Sequence, residues 1–295
     1  VQDAVRVHLE AMSGVGGVEI VIDDRSERSA PKKKAPTGPH GQSPDPFADR
    51  QRIAGVDKVI AVASAKGGVG KSSVAVNLAL ALRENGARVG LMDADVYGPS
   101  VPTMLKVEGQ PEVDENKKIK PFQSNGLQVM SMGLLMPPDQ PVIWRGPLVM
   151  SAVKQFLQDV LWDDLDYLVI DMPPGTGDAQ LTLVQTVPLS GVVMVTTPQE
   201  VALVDVRRGI QMFAKIEVPV LGIVENMSYF VCPDNDQKYD IFGHGGGAEV
   251  ARQYNLPLLG EIPIDPAIRK GGDTGSPAFT SEGTATRQAF LELAS

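Results

Sequence analysis

Apolar and polar positions fall along this chain in blocks of two kinds. Short apolar runs at 59–63, 88–92, 127–132, 167–170, 191–197, 220–224 and 258–262 read as strands buried on both faces. Longer stretches with helical spacing lie between them: 74–82, where Ala75, Leu78, Ala79 and Leu82 recur on one side, then 148–162, 201–214 and 280–294. Strand alternating with helix predicts the α/β class, a doubly wound, mostly parallel sheet with its ligand at the carboxyl ends of the strands. Gly86 is placed to close the first helix, and Pro147 to open the one that follows it. Residues 109–125 are polar and read as a surface excursion or hairpin.

The same pattern divides the chain. Residues 1–22 hold a short amphipathic segment at 5–12, a Gly14-Val15-Gly16-Gly17 turn and an alternating strand at 18–22. Residues 23–57 are rich in Pro, Gly, Ser and charge and lack an apolar period, so they read as a flexible linker. Residues 58–295 form the main domain. With 295 residues and 43% apolar content, the chain supports one large α/β domain and a small appendage.

Charge and cysteine content narrow the classes. A net charge of −9 argues against a general nucleic-acid binder, and Lys32-Lys33-Lys34 reads as a solvated run in the linker. No run reaches the apolar length of a membrane span. One cysteine excludes an intramolecular disulfide and fits a cytoplasmic setting. The chain starts at Val1 rather than Met, and nothing in it resembles a targeting segment.

The chemistry concentrates at Ser64-Ala65-Lys66-Gly67-Gly68-Val69-Gly70-Lys71-Ser72-Ser73, between the first strand and the first helix. Strand, glycine-rich turn and helix make a phosphate-binding loop: the backbone curls so that several N–H groups share one concavity, and the helix N-terminus adds positive charge there. Gly67, Gly68, Val69, Gly70 and Ser73 then bind phosphate through the backbone, Lys71 reaches the β- and γ-phosphates, and Ser72 ligates Mg²⁺. Ala65 stands where the usual motif has its first glycine, and Lys66 follows it. Asp93-Ala94-Asp95 ends the next strand facing the ligand crevice, suited to hold Mg²⁺ through water or to orient an attacking water. Asp171 ends another apolar strand in the Walker B pattern and would hold the Mg²⁺ shell. The Pro173-Pro174-Gly175-Thr176-Gly177 loop after it is built to approach a γ-phosphate and to move when that phosphate leaves. The Asn226 amide suits either reading an adenine edge or stabilising a turn. Arg145 reads as a structural ion pair rather than a finger residue.

The early lysine of Lys66-Gly67-Gly68-Val69-Gly70-Lys71-Ser72 resembles the deviant Walker A loop of the MinD, ParA and nitrogenase iron protein class. That resemblance assigns Lys66 a place in the partner subunit's nucleotide site. With Asp93–Ser100, Asp171–Asp178, Glu225–Phe230 and Tyr239–Gly247, the chain from 58 to about 290 resembles the Mrp (ApbC-like) ATPases. Residues 1–22 are similar to the second half of the small domain that precedes the ATPase there. The resemblance implies a homodimeric, ATP- and Mg²⁺-dependent carrier of iron–sulfur clusters. Its partners are cluster donor and acceptor apoproteins, with neither nucleic acid nor membrane. It places water positioning on Asp95, adenine contact on Asn226 and a wall of the base site at Pro263. Its usual cluster ligands are a Cys-x-x-Cys pair, and here Cys232 holds the first position and Asn235 the second. A dimer then offers two thiolates where a cluster takes four; Asp236, His244 or an external thiol would have to complete the set. His244 itself reads as a hydrogen-bonded structural residue. The rival readings are a ParA- or MinD-like partitioning switch and a nucleotide-binding scaffold without metal. Against a MinD-like membrane helix, residues 280–295 carry Arg287 as their one basic residue, beside Glu282 and Glu292.

Overall fold

The computed structural model describes residues 50–135, 153 and 157–295. Strands β1 (Val56–Ala63), β2 (Val89–Asp93), β3 (Phe122–Ser124), β4 (Leu127–Ser131), β5 (Leu165–Asp171), β6 (Gly191–Thr196), β7 (Val220–Asn226) and β10 (Leu258–Ile262) form one sheet in the order β10-β7-β6-β1-β5-β2-β4-β3. All neighbours run parallel except β3, which returns antiparallel to β4 through Asn125 and Gly126. Strands β8 (Phe230–Val231) and β9 (Lys238–Tyr239) form a separate hairpin. The helices are α1 (Lys71–Glu84), α2 (Val101–Leu105), α3 (Asp178–Thr186), α4 (Glu200–Lys215), α5 (Gly246–Gln253), α6 (Pro266–Thr274) and α7 (Ala285–Leu293).

Alternate residues of each central strand feed two apolar layers. Ala61, Ala63, Val192 and Met194 face one layer, with α3, α4 and α5 supplying Leu183, Phe213 and Val250. Val62, Val193 and Val195 face the other, where α1 and α7 supply Leu78, Leu82 and Phe290. A sheet covered on both faces leaves only the strand ends for a ligand. The doubly wound parallel sheet expected from the pattern is the one observed.

Several boundaries differ from the pattern. β1 begins at Val56, Ile53 is buried in the core, and Gln51 N–H donates to the Thr186 carbonyl at 3.1 Å. Residues from Gln51 onward therefore belong to the folded body rather than to the linker 23–57. The closing helix starts at Ala285, not 280: Gly283 takes φ +71° and the Thr284 hydroxyl caps Arg287 N–H at 3.1 Å, which restarts the chain after a 3₁₀ turn at Ala278–Thr280. Around residue 160 the chain has already left the helix, because Val160 bridges to Ile119. The polar excursion closes on itself, with Val113 bridged to Ile119 and Asp114 Oδ1 accepting from Asn116 and Lys118 N–H. The expectations for residues 1–22, for most of 23–57 including Lys32-Lys33-Lys34, for Arg145 and Pro147, and for most of the helix at 148–162 lie outside the described residues.

At the carboxyl ends one row of residues crosses the sheet centre: Val62 on β1, Asp171 on β5, Asp93 on β2 and Ser131 on β4 are in register. Asp93 is fully buried. Its Oδ2 accepts from the Ser100 and Val101 N–H groups and from Ser131 Oγ at 3.1, 3.2 and 3.1 Å, and its Oδ1 from Asp95 N–H at 3.1 Å. These bonds fold the loop 94–100 back over the strand end. Burial, and then the Asp171 charge beside it, push the Asp93 carboxyl up to about 7 against the pull of those N–H groups and of Lys71. Between the ordinary carboxyl range and about 7, the folded chain holds a proton that the unfolded chain has released, so stability falls as pH rises through that window. The melting temperature of the nucleotide-free protein should drop by roughly 5 °C between acid and mildly alkaline pH, and Asp93→Asn should flatten the slope. Calorimetry across that range checks this, and parallel slopes for the two proteins would contradict it.

Candidate functional site

The loop between β1 and α1 is built from backbone. The Ser64 hydroxyl donates to the Lys66 carbonyl at 3.0 Å, and Gly68 and Gly70 take φ of +81° and +82°. Only glycine holds both values without strain. Gly70 is also a contact point, because a Cβ there would stand 2.2 Å from Asn226 Nδ2. A Cβ on Gly67 or Gly68 would meet nothing within 4 Å, so this part of the loop faces open space. α1 begins without a side-chain cap and without an acidic residue in its first turn. Its terminal N–H groups therefore remain for a ligand. The loop bounds a cavity of about 250 Å³, lined among others by Gly67, Gly68, Lys71, Ser72, Asp95 and Pro174.

Lys71 is 6% exposed; its Nζ lies 2.5 Å from Asp171 Oδ1 and donates to Ser72 Oγ at 3.3 Å. Asp171 is fully buried, and its Oδ2 has no hydrogen-bond partner among the described residues. Burial holds the Asp171 carboxyl above the usual range, against the charge of Lys71 and its hydrogen bond. A carboxylate with one oxygen unsatisfied next to a serine hydroxyl is an all-oxygen donor set, the kind Mg²⁺ takes. The residues therefore fit that ion. Asp95 lines the cavity, and its Oδ1 accepts from Tyr97 and Gly98 N–H at 3.3 and 3.2 Å. The two aspartates of Asp93-Ala94-Asp95 thus part: Asp95 meets the ligand space and Asp93 faces inward to hold the loop.

The loop after β5 rests on the phosphate loop. Gly175 N–H donates to the Ser64 carbonyl at 2.9 Å. The buried Gln180 on α3 donates to the Pro173 carbonyl at 2.7 Å and to the Ser64 carbonyl at 3.4 Å. Gln180 ties the two loops together, and the pattern does not flag it, since a single glutamine on a helix carries no local signal. Lys66 is exposed at the loop tip and pairs with no acid among the described residues.

Beside the phosphate cavity opens a second one of about 680 Å³, with Met104, Met227, Phe242, Pro263, Ile264 and Ile268 in its wall. Asn226 lines it too, but its Nδ2 donates to the Val69 carbonyl at 2.8 Å. One of the amide's two N–H donors is thus engaged with the phosphate loop, which leaves its oxygen and its second N–H for a base. Asp265 fixes the turn at Pro263: its side chain accepts from Ala267 N–H at 2.7 Å and from Thr286 Oγ1 at 2.5 Å. Glu225, also unflagged by sequence, is fully buried and accepts from Ser228 Oγ at 2.6 Å and from Gly247 N–H at 2.5 Å. Gly247 is required there, since a Cβ would lie 2.9 Å from the Glu225 carboxylate.

Cys232 is half-buried at the tip of the β8–β9 hairpin. Its carbonyl accepts from Asn235 and Asp236 N–H at 3.4 and 2.9 Å, and its own N–H donates to the Gln237 carbonyl at 2.9 Å. This turn folds the Asn235 position back over Cys232, as a paired ligand position would be. The Asn235 side chain instead accepts from Gln237 N–H at 3.1 Å. His244 is 72% exposed and 3.8 Å from Asp240, too far for a hydrogen bond, so it is not the bonded structural residue expected. Among the described residues no three His, Cys, Asp or Glu side chains gather as a metal site, and neither Asp236 nor His244 completes one with Cys232 within the chain.

Comparison with known proteins agrees with this geometry. The iron-sulfur cluster carrier protein of Synechocystis sp. is 54% identical over 239 residues, which span 79% of this chain and 68% of that protein. The solved nucleotide-binding protein of Archaeoglobus fulgidus in complex with ADP matches with a TM-score of 0.70 and 39% identity, covering 81% of this chain and 94% of that one. The Pyrococcus furiosus cell division ATPase MinD matches with a TM-score of 0.61 and 26% identity, covering 80% of this chain and 96% of that one. Residues 55–295 match the ParA family model, described as the NUBPL iron-transfer P-loop NTPase. A glycine loop over a buried Lys–Asp pair, on this sheet and with this match across the whole α/β body, makes the chain a member of the ParA/NUBPL family of iron-transfer P-loop NTPases.

Proposed function

We propose that this chain is a magnesium-dependent ATPase that works as a homodimer and carries an iron–sulfur cluster as cargo between donor and acceptor apoproteins. The nucleotide state would gate cluster binding or transfer. The observation that carries the ATPase reading is the group of Lys71, Ser72 and Asp171, with Asp171 Oδ2 unsatisfied at the foot of the phosphate cavity. The cargo is inferred from the name of the 54%-identical relative and from the family description.

In this reading the N–H groups of Gly67, Gly68, Val69 and Gly70 and the start of α1, with Ser72 and Ser73, hold the phosphates. Lys71 exchanges Asp171 for the β- and γ-phosphates. Ser72 and Asp171 hold Mg²⁺, which neutralises charge on the phosphate oxygens. Asp95 orients the water that attacks the γ-phosphorus in line as the bond to ADP breaks. Asn226 and Pro263 wall the base. Lys66 reaches the partner subunit's nucleotide, which accounts for an exposed lysine that pairs with no acid among the described residues. Exposed Tyr97 and Val201, just past the carboxyl ends of β2 and β6, and Ile241, just past β9, supply apolar area for the pairing.

A second reading, a MinD-like switch without cargo, is favoured by Asn235 in the second ligand position and by the single thiol. Two thiolates per dimer leave half of a cluster's ligands to other molecules.

Lys71→Ala should lower turnover at saturating ATP by about 100-fold or more, and Lys66→Ala by a similar factor while each subunit still binds nucleotide. Steady-state phosphate release with parallel nucleotide titration checks both, and a Lys66→Ala protein as active as the wild type would remove the shared-site reading. Anaerobic reconstitution with iron, sulfide and a small thiol should give about one cluster per dimer, lost in Cys232→Ser. Wild type and variant equally free of iron, with ATP still hydrolysed, would favour the switch without cargo.

A further inference from the structure

Cys232 follows Asn226 by six residues and is the chain's one thiol. Asn226 grips the phosphate loop, through its bond to the Val69 carbonyl and its contact with Gly70. The chain between the two is pinned along its length. Ser228 Oγ donates to Glu225, and Ser228 N–H to the Ile262 carbonyl at 3.0 Å. Ile264 N–H donates to the Tyr229 carbonyl at 2.7 Å, and Lys238 Nζ lies 4.1 Å from the centre of the Tyr229 ring. Phe230 and Val231 then pair with Tyr239 and Lys238, which places Cys232 at the turn.

The neighbouring wall is shared as well. Pro263, Ile264 and Asp265 line the base cavity on one side. On the other they line a separate cavity of about 390 Å³ beneath Phe230, Val231 and Pro233. A nucleotide that fills the first cavity braces the wall to which the hairpin's stem is tied by the Ile264–Tyr229 bond. A segment without slack transmits such bracing, because packed elements shift between discrete arrangements rather than yielding gradually.

We propose that Asn226 is a positioning residue that couples nucleotide occupancy of the phosphate loop to the accessibility of Cys232. The coupling rests on the nucleotide-binding reading of the site and does not require cluster cargo. Occupancy would hold the hairpin closed, and the empty site would let it open and present the thiol.

The single thiol makes the hairpin readable in the full chain. The probe is the rate at which Ellman's reagent modifies Cys232, with and without ADP and Mg²⁺, while ADP occupancy is measured by equilibrium binding. Saturating ADP should slow the wild-type reaction about fivefold or more. At matched occupancy, Asn226→Ala should retain less than about half of that factor. Ser228→Ala changes no residue lining the base cavity but removes the side-chain pin to Glu225, and should fall between the two. A wild-type rate that does not change at full occupancy overturns the coupling, as does an undiminished effect in Asn226→Ala. Should Asn226→Ala fail to bind ADP, Ser228→Ala decides: a reduced effect supports the coupling and an undiminished one overturns it. Failure of the wild type itself to bind ADP is a different result, which removes the nucleotide reading together with this inference.

Discussion

The pairing of Lys71 with Asp171 is the constraint on which the rest of this structure turns. Both groups are almost wholly out of water, and an ion pair in that position persists only when its geometry is tight and its remaining atoms are answered. Three of the demands are met within the chain: Lys71 Nζ holds Asp171 Oδ1, Ser72 supports Lys71, and Asp93 is clasped by the loop after β2. One demand is left open at Asp171 Oδ2. Two carboxylates and one ammonium share the same dry strand ends, and burial with the Asp171 charge favours the protonated form of Asp93 there. A divalent cation at Asp171 Oδ2 would answer the same excess of negative charge.

Around that pair the loops lean on each other rather than on solvent. Ser64 accepts from Gly175, Val69 accepts from Asn226, and Gln180 ties the loop after β5 to the phosphate loop. Each of these bonds joins the end of one strand to the end of another. The crevice is thus held together by bonds among its own loops, while the N–H groups at the start of α1 stay outside that network.

The fold was legible because its strands are buried on both faces: runs such as 191–197 and 220–224 have little else to be. The phosphate loop was legible because its glycines and lysines sit in one short window. What was not legible is long-range. Glu225 meets Gly247, and Gln180 meets Pro173 and Ser64, across spacings that carry no period. The two aspartates flanking Ala94 look equivalent in sequence, and only the fold of the following loop turns one inward. Asn226 admitted two roles by its chemistry, and the structure engages one of its donors with the loop. Helix ends moved for local reasons, as at Gly283 and Thr284, where the left-handed glycine interrupts an apolar period that continues past it.

The two margins of the sheet have a consequence for how copies of the chain meet. β3 at one margin is three residues long, and β10 at the other shifts register between Leu258 and Gly260 against β7. A short strand and an irregular one are poor templates for a further strand. Growth of the sheet from molecule to molecule, which would give open-ended polymers, is blunted on both sides. Two copies that met through the loop face at the strand ends, across a twofold axis, would instead close on each other.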